Sequence, residues 1–122
     1  MKKYIKGRLK SISHAFDGIR TLIKEEHNSR IYVAITIVVL IMSYLLNISS
    51  YEWIIVSSVI GLVFAFEATN TAIERLADFA SNNEIHPTIK KVKDMAAAAV
   101  LFVAIIALIA GLIIFIPKLL CL

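Results

Sequence analysis

Glu67, Asn70, Glu74 and Asp78 are the residues whose types and spacing could do chemistry. At about 100° per residue they fall within roughly an 80° arc of one helical face. Three acids and an amide therefore line one side of a helix. The run Trp53–Phe66 leads into them without a break or a charge, and no Lys or Arg stands close to Glu67 in sequence. An ionisable group at that depth is costly, and its default reading is functional. A face of carboxylates suits a divalent cation, and a divalent cation suits a phosphate.

Phosphoryl transfer asks for positioning, a cation and positive charge on the phosphate oxygens. Magnesium takes one or two protein carboxylates and leaves its other positions to water and phosphate. Glu74 is one candidate ligand, and Glu25 or Glu26, at the same membrane level, a second. Glu67 is a candidate base for a hydroxyl presented from the lipid layer, and Lys93 could hold phosphate as a point charge. Two other readings stay open on residue chemistry alone. Glu74, Asp78, Lys93 and Asp94 can be solvated helix ends, with Glu67 paired across the bundle. A membrane-embedded Glu can also serve a small proton-coupled transporter. The only glycines are Gly7, Gly18, Gly61 and Gly111, which excludes phosphate loops of the P-loop and protein-kinase kinds.

The elements that must position these groups follow from hydropathy. The chain has 122 residues, 59% of them hydrophobic, and a mean hydropathy of +0.81. A soluble protein of this size could not bury so much apolar surface, so the class is all-α integral membrane, in one domain over residues 1–122. Residues 1–30 carry eight Lys and Arg, interleaved with Ile5, Leu9, Ile12, Phe16, Ile19 and Ile23 at spacings of three or four. That pattern predicts an amphipathic helix over about 4–26, lying in the headgroup layer or packed on the protein's own core. Three spans follow, over about 31–47, 53–79 and 88–117. The second is too short to cross unless it continues through Glu67. Asn47–Ser50 makes a tight turn, Ser81-Asn82-Asn83 breaks the second span, Pro87 opens the third, and Pro117-Lys118 is expected to end it. Ala96–Ala99 and Gly111 permit close helix packing. The lone Cys121 makes no internal disulfide.

Lys and Arg are placed asymmetrically: eight in the N-terminal segment, four between the second and third spans, none in the first turn and one, Lys118, near the end. The positive-inside rule then puts the N-terminus and the second connection in the cytoplasm, where ATP is available.

Glu67-x-x-Asn70-Thr71-Ala72-Ile73-Glu74-x-x-x-Asp78, followed by Lys93-Asp94 and Ala96-Ala97-Ala98-Ala99-Val100, closely resembles the prokaryotic diacylglycerol kinase/undecaprenol kinase family. Ser11-x-x-His14-Ala15-Phe16-x-Gly18-Ile19 and Glu26-His27-Asn28-x-Arg30 are similar to the same family, and the resemblance runs from about residue 8 to residue 116. It implies a homotrimer of three-span subunits in the bacterial inner membrane, each with an N-terminal surface helix, using Mg2+ and ATP to phosphorylate a lipid hydroxyl. No nucleic-acid partner is expected. By motif, Glu67 matches the catalytic base with Asn70 beside it, and Glu26 and Glu74 match the metal carboxylates. His14, Glu26, Glu74, Asp78, Glu84, His86, Lys93 and Asp94 match the nucleotide site. Arg8, Glu67 and Ala97 match positions linked to the lipid substrate.

The sequence departs from the family pattern at a few positions. Ala68-Thr69 replace bulkier apolar residues, His14 stands for the usual Tyr near the adenine site, and Ser29 and Tyr32 stand where Phe and His are common. None removes a group the chemistry needs. The reading leans to diacylglycerol as substrate, giving phosphatidic acid, with undecaprenol as the alternative.

Overall fold

The computed structural model describes all residues, Met1–Leu122. Four helices follow one another: α1 (Lys2–Glu25), α2 (His27–Leu45), α3 (Ser50–Ala80) and α4 (Pro87–Leu120). Each joint has an identifiable chemistry. Between α1 and α2 the only non-helical residue is Glu26, extended at φ −110°, ψ 115°. Helix α2 ends on Asn47 in the left-handed region at φ 51°. Asn47 N–H donates to the Tyr44 carbonyl and Ile48 N–H to the Ser43 carbonyl, which satisfies the last carbonyls of the helix. Helix α3 ends in the same way, with Asn82 at φ 52° and Asn83 N–H donating to the Asp78 carbonyl at 2.9 Å. Asparagine tolerates this conformation where most side chains resist it.

The helix starts are equally explicit. Ser49 Oγ accepts from Glu52 N–H at 3.2 Å while Ser49 N–H donates to Glu52 Oε1 at 2.9 Å, a reciprocal cap that begins α3 at Ser50. Pro87 occupies the first turn of α4, and His86 Nδ1 accepts from Thr88 N–H at 3.2 Å. The expected stop at Pro117 is corrected: α4 runs on to Leu120 with Pro117 inside it. So close to the C-terminus, proline forfeits a single intrahelical bond. Lys118, just beyond, reaches Glu52 at 3.2 Å.

At 31 and 34 residues, α3 and α4 are about 46 and 51 Å long. Both exceed the roughly 30 Å hydrocarbon core of a bilayer, so their polar ends project from it. They pack antiparallel, tied at one end by Lys93–Asp78 (2.7 Å) and at the other by Lys118–Glu52. Helix α2 leans on α3 through the edge of Tyr32 on Phe64, centroids 6.5 Å apart. A small core of Ile48, Val56, Ile114 and Phe115 closes the end near the α2–α3 turn. Only 11 of the 122 residues are buried, and large apolar side chains cover the outside. Water would not sustain that distribution. Three helices, α2, α3 and α4, are long and apolar enough to cross a membrane.

Candidate active site

Helix α3 carries Glu67, Asn70, Glu74 and Asp78 as one continuous face, since nothing interrupts it between Ser50 and Ala80. Glu67 is 5% exposed. No cation lies within ion-pair distance of it, so the alternative in which it is paired across the bundle does not hold within the chain. Its electrostatic neighbours are acids instead: Glu74 on its own helix and Glu26 at the head of α2. Tyr32, one and a half turns into α2, also feels the Glu67 charge. The single residue between α1 and α2 thus delivers a carboxylate to the same place as the α3 face.

Arg75 organises this junction. Its guanidinium donates to Glu26 Oε1 at 2.7 Å and to Glu25 Oε1 at 3.4 Å, clasping the α1–α2 joint to α3. One oxygen of Glu26 is engaged in this way and the other is left for a further ligand. Lys93 Nζ donates to Asp78 Oδ1 at 2.7 Å and also lies within range of the Glu74 charge. Asp94 is held by Lys90 at 2.6 Å on its own helix. Glu26, Glu67, Asn70, Glu74, Asp78 and Lys93 therefore gather at one end of the bundle.

Other expected site residues sit apart. Glu84 and His86 share a shallow hollow on the α3–α4 connection, where the His86 ring caps α4. His14 is exposed on α1. Arg8 is turned to its own helix, its Nε donating to the Tyr4 hydroxyl at 3.1 Å with its guanidinium over the Tyr4 ring. Ala97 is exposed and Ala96 buried, so Ala97 points away from the interior of this chain.

Three residues gain a place that sequence reasoning did not give them. Arg75 pairs with residues 49 and 50 positions away, a separation that no local spacing reveals. The only available signal was that Arg75 is the sole basic residue of α3. Tyr32 emerges within range of the Glu67 charge. Ser29 is fully buried, with its Oγ lacking a partner. Six other hydroxyls, those of Ser11, Thr21, Thr36, Ser43, Thr69 and Ser81, donate to the carbonyl four residues back. For Ser29 that carbonyl belongs to Glu25, on the far side of the break at Glu26, so the usual acceptor has turned away. Asn70 Oδ1 is likewise buried without a partner.

No group of three or more His, Cys, Asp or Glu side chains is arranged as a complete metal cage. A pair of carboxylates with a lysine nearby, at the projecting end of a membrane helix bundle, is what a site for phosphate groups presented with a cation requires. The fold and site together make a membrane-helix bundle with a carboxylate face at one end and no glycine-rich loop.

Residues 13–115 match the family described as prokaryotic diacylglycerol kinase. The chain is 42% identical over 110 residues to the undecaprenol kinase of Bacillus subtilis, covering 90% of this chain and 89% of that one. It is 32% identical over 114 residues to a diacylglycerol kinase of Synechocystis, covering 93% and 65%. To a diacylglycerol kinase of Helicobacter pylori it is 30% identical over 97 residues, covering 80% and 75%. The chain belongs to the prokaryotic diacylglycerol kinase family. It is a lipid kinase, its substrate a lipid and its implied phosphate donor ATP. The transporter reading gives way to this.

Proposed function

We propose that the protein transfers the γ-phosphate of ATP to the hydroxyl of undecaprenol, with Mg2+, giving undecaprenyl phosphate. The observation that carries the site is Glu67: buried, without a cation partner, and flanked by Glu26 and Glu74. The choice of lipid is supported by the greater similarity to the Bacillus subtilis enzyme, which moves the weight from the diacylglycerol that the sequence alone favoured. Diacylglycerol, giving phosphatidic acid, is the second reading, favoured by the names of the other relatives.

The residues present fit a magnesium ion. Glu74 and the free oxygen of Glu26 would supply two carboxylate ligands, the number magnesium commonly takes from protein when phosphates fill other positions. The ion would supply positive charge to the phosphate oxygens. The chain's own groups do the rest. Glu67 accepts the proton of the lipid hydroxyl as its oxygen bonds to the γ-phosphorus, and the bond from that phosphorus to the bridging oxygen breaks, releasing ADP. Asn70, one turn along the same face, orients the carboxylate and the hydroxyl. Lys93 exchanges Asp78 for phosphate oxygens. Asp94, Glu84, His86 and His14 complete the nucleotide site, and Arg8 and Ala97 contact the lipid, in an assembled homotrimer.

The N-terminus and the α3–α4 connection face the cytoplasm of a bacterial inner membrane. Helix α1 lies on that membrane surface, a placement supported by Ile5, Leu9, Ile12, Phe16, Ile19 and Ile23, all exposed along it. The test is transfer of labelled γ-phosphate in mixed micelles, with undecaprenol and diacylglycerol offered separately, with and without magnesium. Magnesium-dependent labelling that favours undecaprenol supports the proposal. Preferential labelling of diacylglycerol selects the second reading, and labelling of neither removes both.

A further inference from the structure

Helix α1 has no buried residue. Where it passes α3 the two helices leave a hollow of about 400 Å³, with Ala15, Gly18 and Leu22 on one side and Ala68 and Ala72 on the other. A Cβ added at Gly18 would meet no atom within 4 Å. Small side chains across open space do little to hold two helices together. Arg75 lines the same hollow. Ala68, Ala72 and Arg75 follow one another at four and three residues, so they form one face of α3, beside the face that bears Glu67 and Glu74.

The chain has five ion pairs, and only the two made by Arg75 reach α1 or the elbow at Glu26. The guanidinium divides its donors, one nitrogen on Glu26 Oε1 at 2.7 Å and the other on Glu25 Oε1 at 3.4 Å. A planar fork suits that double hold. Arg30 adds a bond across the elbow, to the Lys24 carbonyl at 3.4 Å, but this joins α2 to α1 and does not reach α3. Glu26 meanwhile belongs to neither helix, and it stands in a group of acids with Glu67 and Glu74. Like charges repel, so without a cation on α3 the elbow would be pushed away from the site.

We infer that Arg75 is a positioning residue: it holds the Glu26 carboxylate against α3, so that this ligand is in place before a cation arrives. The inference rests on the lipid-kinase reading with Glu26 as a magnesium ligand. Glu25 serves as the second hold of the fork, which keeps the guanidinium from turning off the elbow. The pair occupies one Glu26 oxygen and leaves the other available.

The sign of one measurement separates this role from a plain charge effect. A guanidinium that only added positive charge would oppose magnesium, and its removal would tighten magnesium binding. Removal of a positioning group weakens it. Arg75→Gln should therefore raise the magnesium concentration for half-maximal activity about twofold to fivefold, the range for a half-exposed ion pair. The kcat at saturating magnesium and the KM for the lipid should hold. Arg75→Lys keeps the charge but loses the planar fork, and should fall between Arg75→Gln and wild type. Hydrogen–deuterium exchange on the purified protein, without nucleotide or metal, gives an independent reading. Amides of residues 22–30 should exchange faster in Arg75→Gln, with those of α4 unchanged. A magnesium midpoint unchanged or lowered in Arg75→Gln, or elbow exchange equal to wild type, overturns the inference. Should Arg75→Gln fail to fold, Arg75→Lys carries both readings by the same criteria. Glu26→Gln tests the underlying assignment separately. If it leaves the magnesium titration unchanged, the ligand reading fails and the inference with it. A shift in Glu26→Gln without one in Arg75→Gln overturns the inference alone.

Discussion

Replacing Glu67 by Gln removes the proton acceptor and keeps nearly every atom in place. Glu67 is 5% exposed and its nearest charges are other acids, so the amide takes away a buried, uncompensated charge and should leave the fold intact or slightly firmer. Loss of a positioned general base costs about 10²- to 10⁴-fold in rate, or roughly 3–5 kcal/mol on the barrier. The γ-phosphate transfer assay at saturating ATP and lipid reads this directly, alongside ATP binding and thermal unfolding in the same detergent. The expected pattern is turnover down by at least about a hundredfold, with ATP binding and unfolding temperature held. Activity within a few-fold of wild type would show that the proton goes elsewhere. Loss of ATP binding together with turnover would make Glu67 part of the nucleotide site instead of the base.

Glu74→Gln should raise the magnesium concentration needed for half-maximal activity, and an unchanged magnesium titration counts against its role as a ligand. Asn47→Ala places a Cβ-bearing residue without a polar side chain at φ 51° and should destabilise the protein by about 1 kcal/mol, while Asn47→Gly should not; thermal unfolding of the pair checks it. Ser49→Ala deletes the α3 cap and should cost about 1 kcal/mol by the same measurement, with catalysis at the far end of the helix unaffected.

The helices were legible because membrane helices announce themselves by length and hydropathy, and their ends by Asn, Ser and Pro. Glu67, Asn70, Glu74 and Asp78 were legible because one helical face is a local pattern. What could not be read was anything set by two helices at once. Arg75 looks like a topology signal until α1 and α3 are seen side by side. Tyr32 looks like a departure from a family pattern until its ring is found edge-on to Phe64 of α3, within range of the Glu67 charge. Proline at 117 looks like a stop, yet whether a helix survives one lost bond depends on partners elsewhere, here Glu52 for Lys118. Ser29 is one polar residue among several between Glu25 and Arg30, and only the break at Glu26 explains why its hydroxyl has no carbonyl to bond.

That break has a consequence for how the chain can vary in length. The α1–α2 joint is one residue long, and the same residue carries a carboxylate of the site. Inserting or deleting a residue there would turn α2 by about 100° and shift it by about 1.5 Å against α1, carrying Glu26 away from Arg75 and Tyr32 away from Phe64. The connection between α3 and α4, by contrast, spans Ser81 to His86 and is almost wholly exposed, so a change of length there costs the fold little, and what constrains it is the placement of Glu84 and His86. A register held so tightly at the first elbow means that members of this architecture can scarcely differ in length there, while at the second the limit is set by the site residues it carries and not by the packing of the helices.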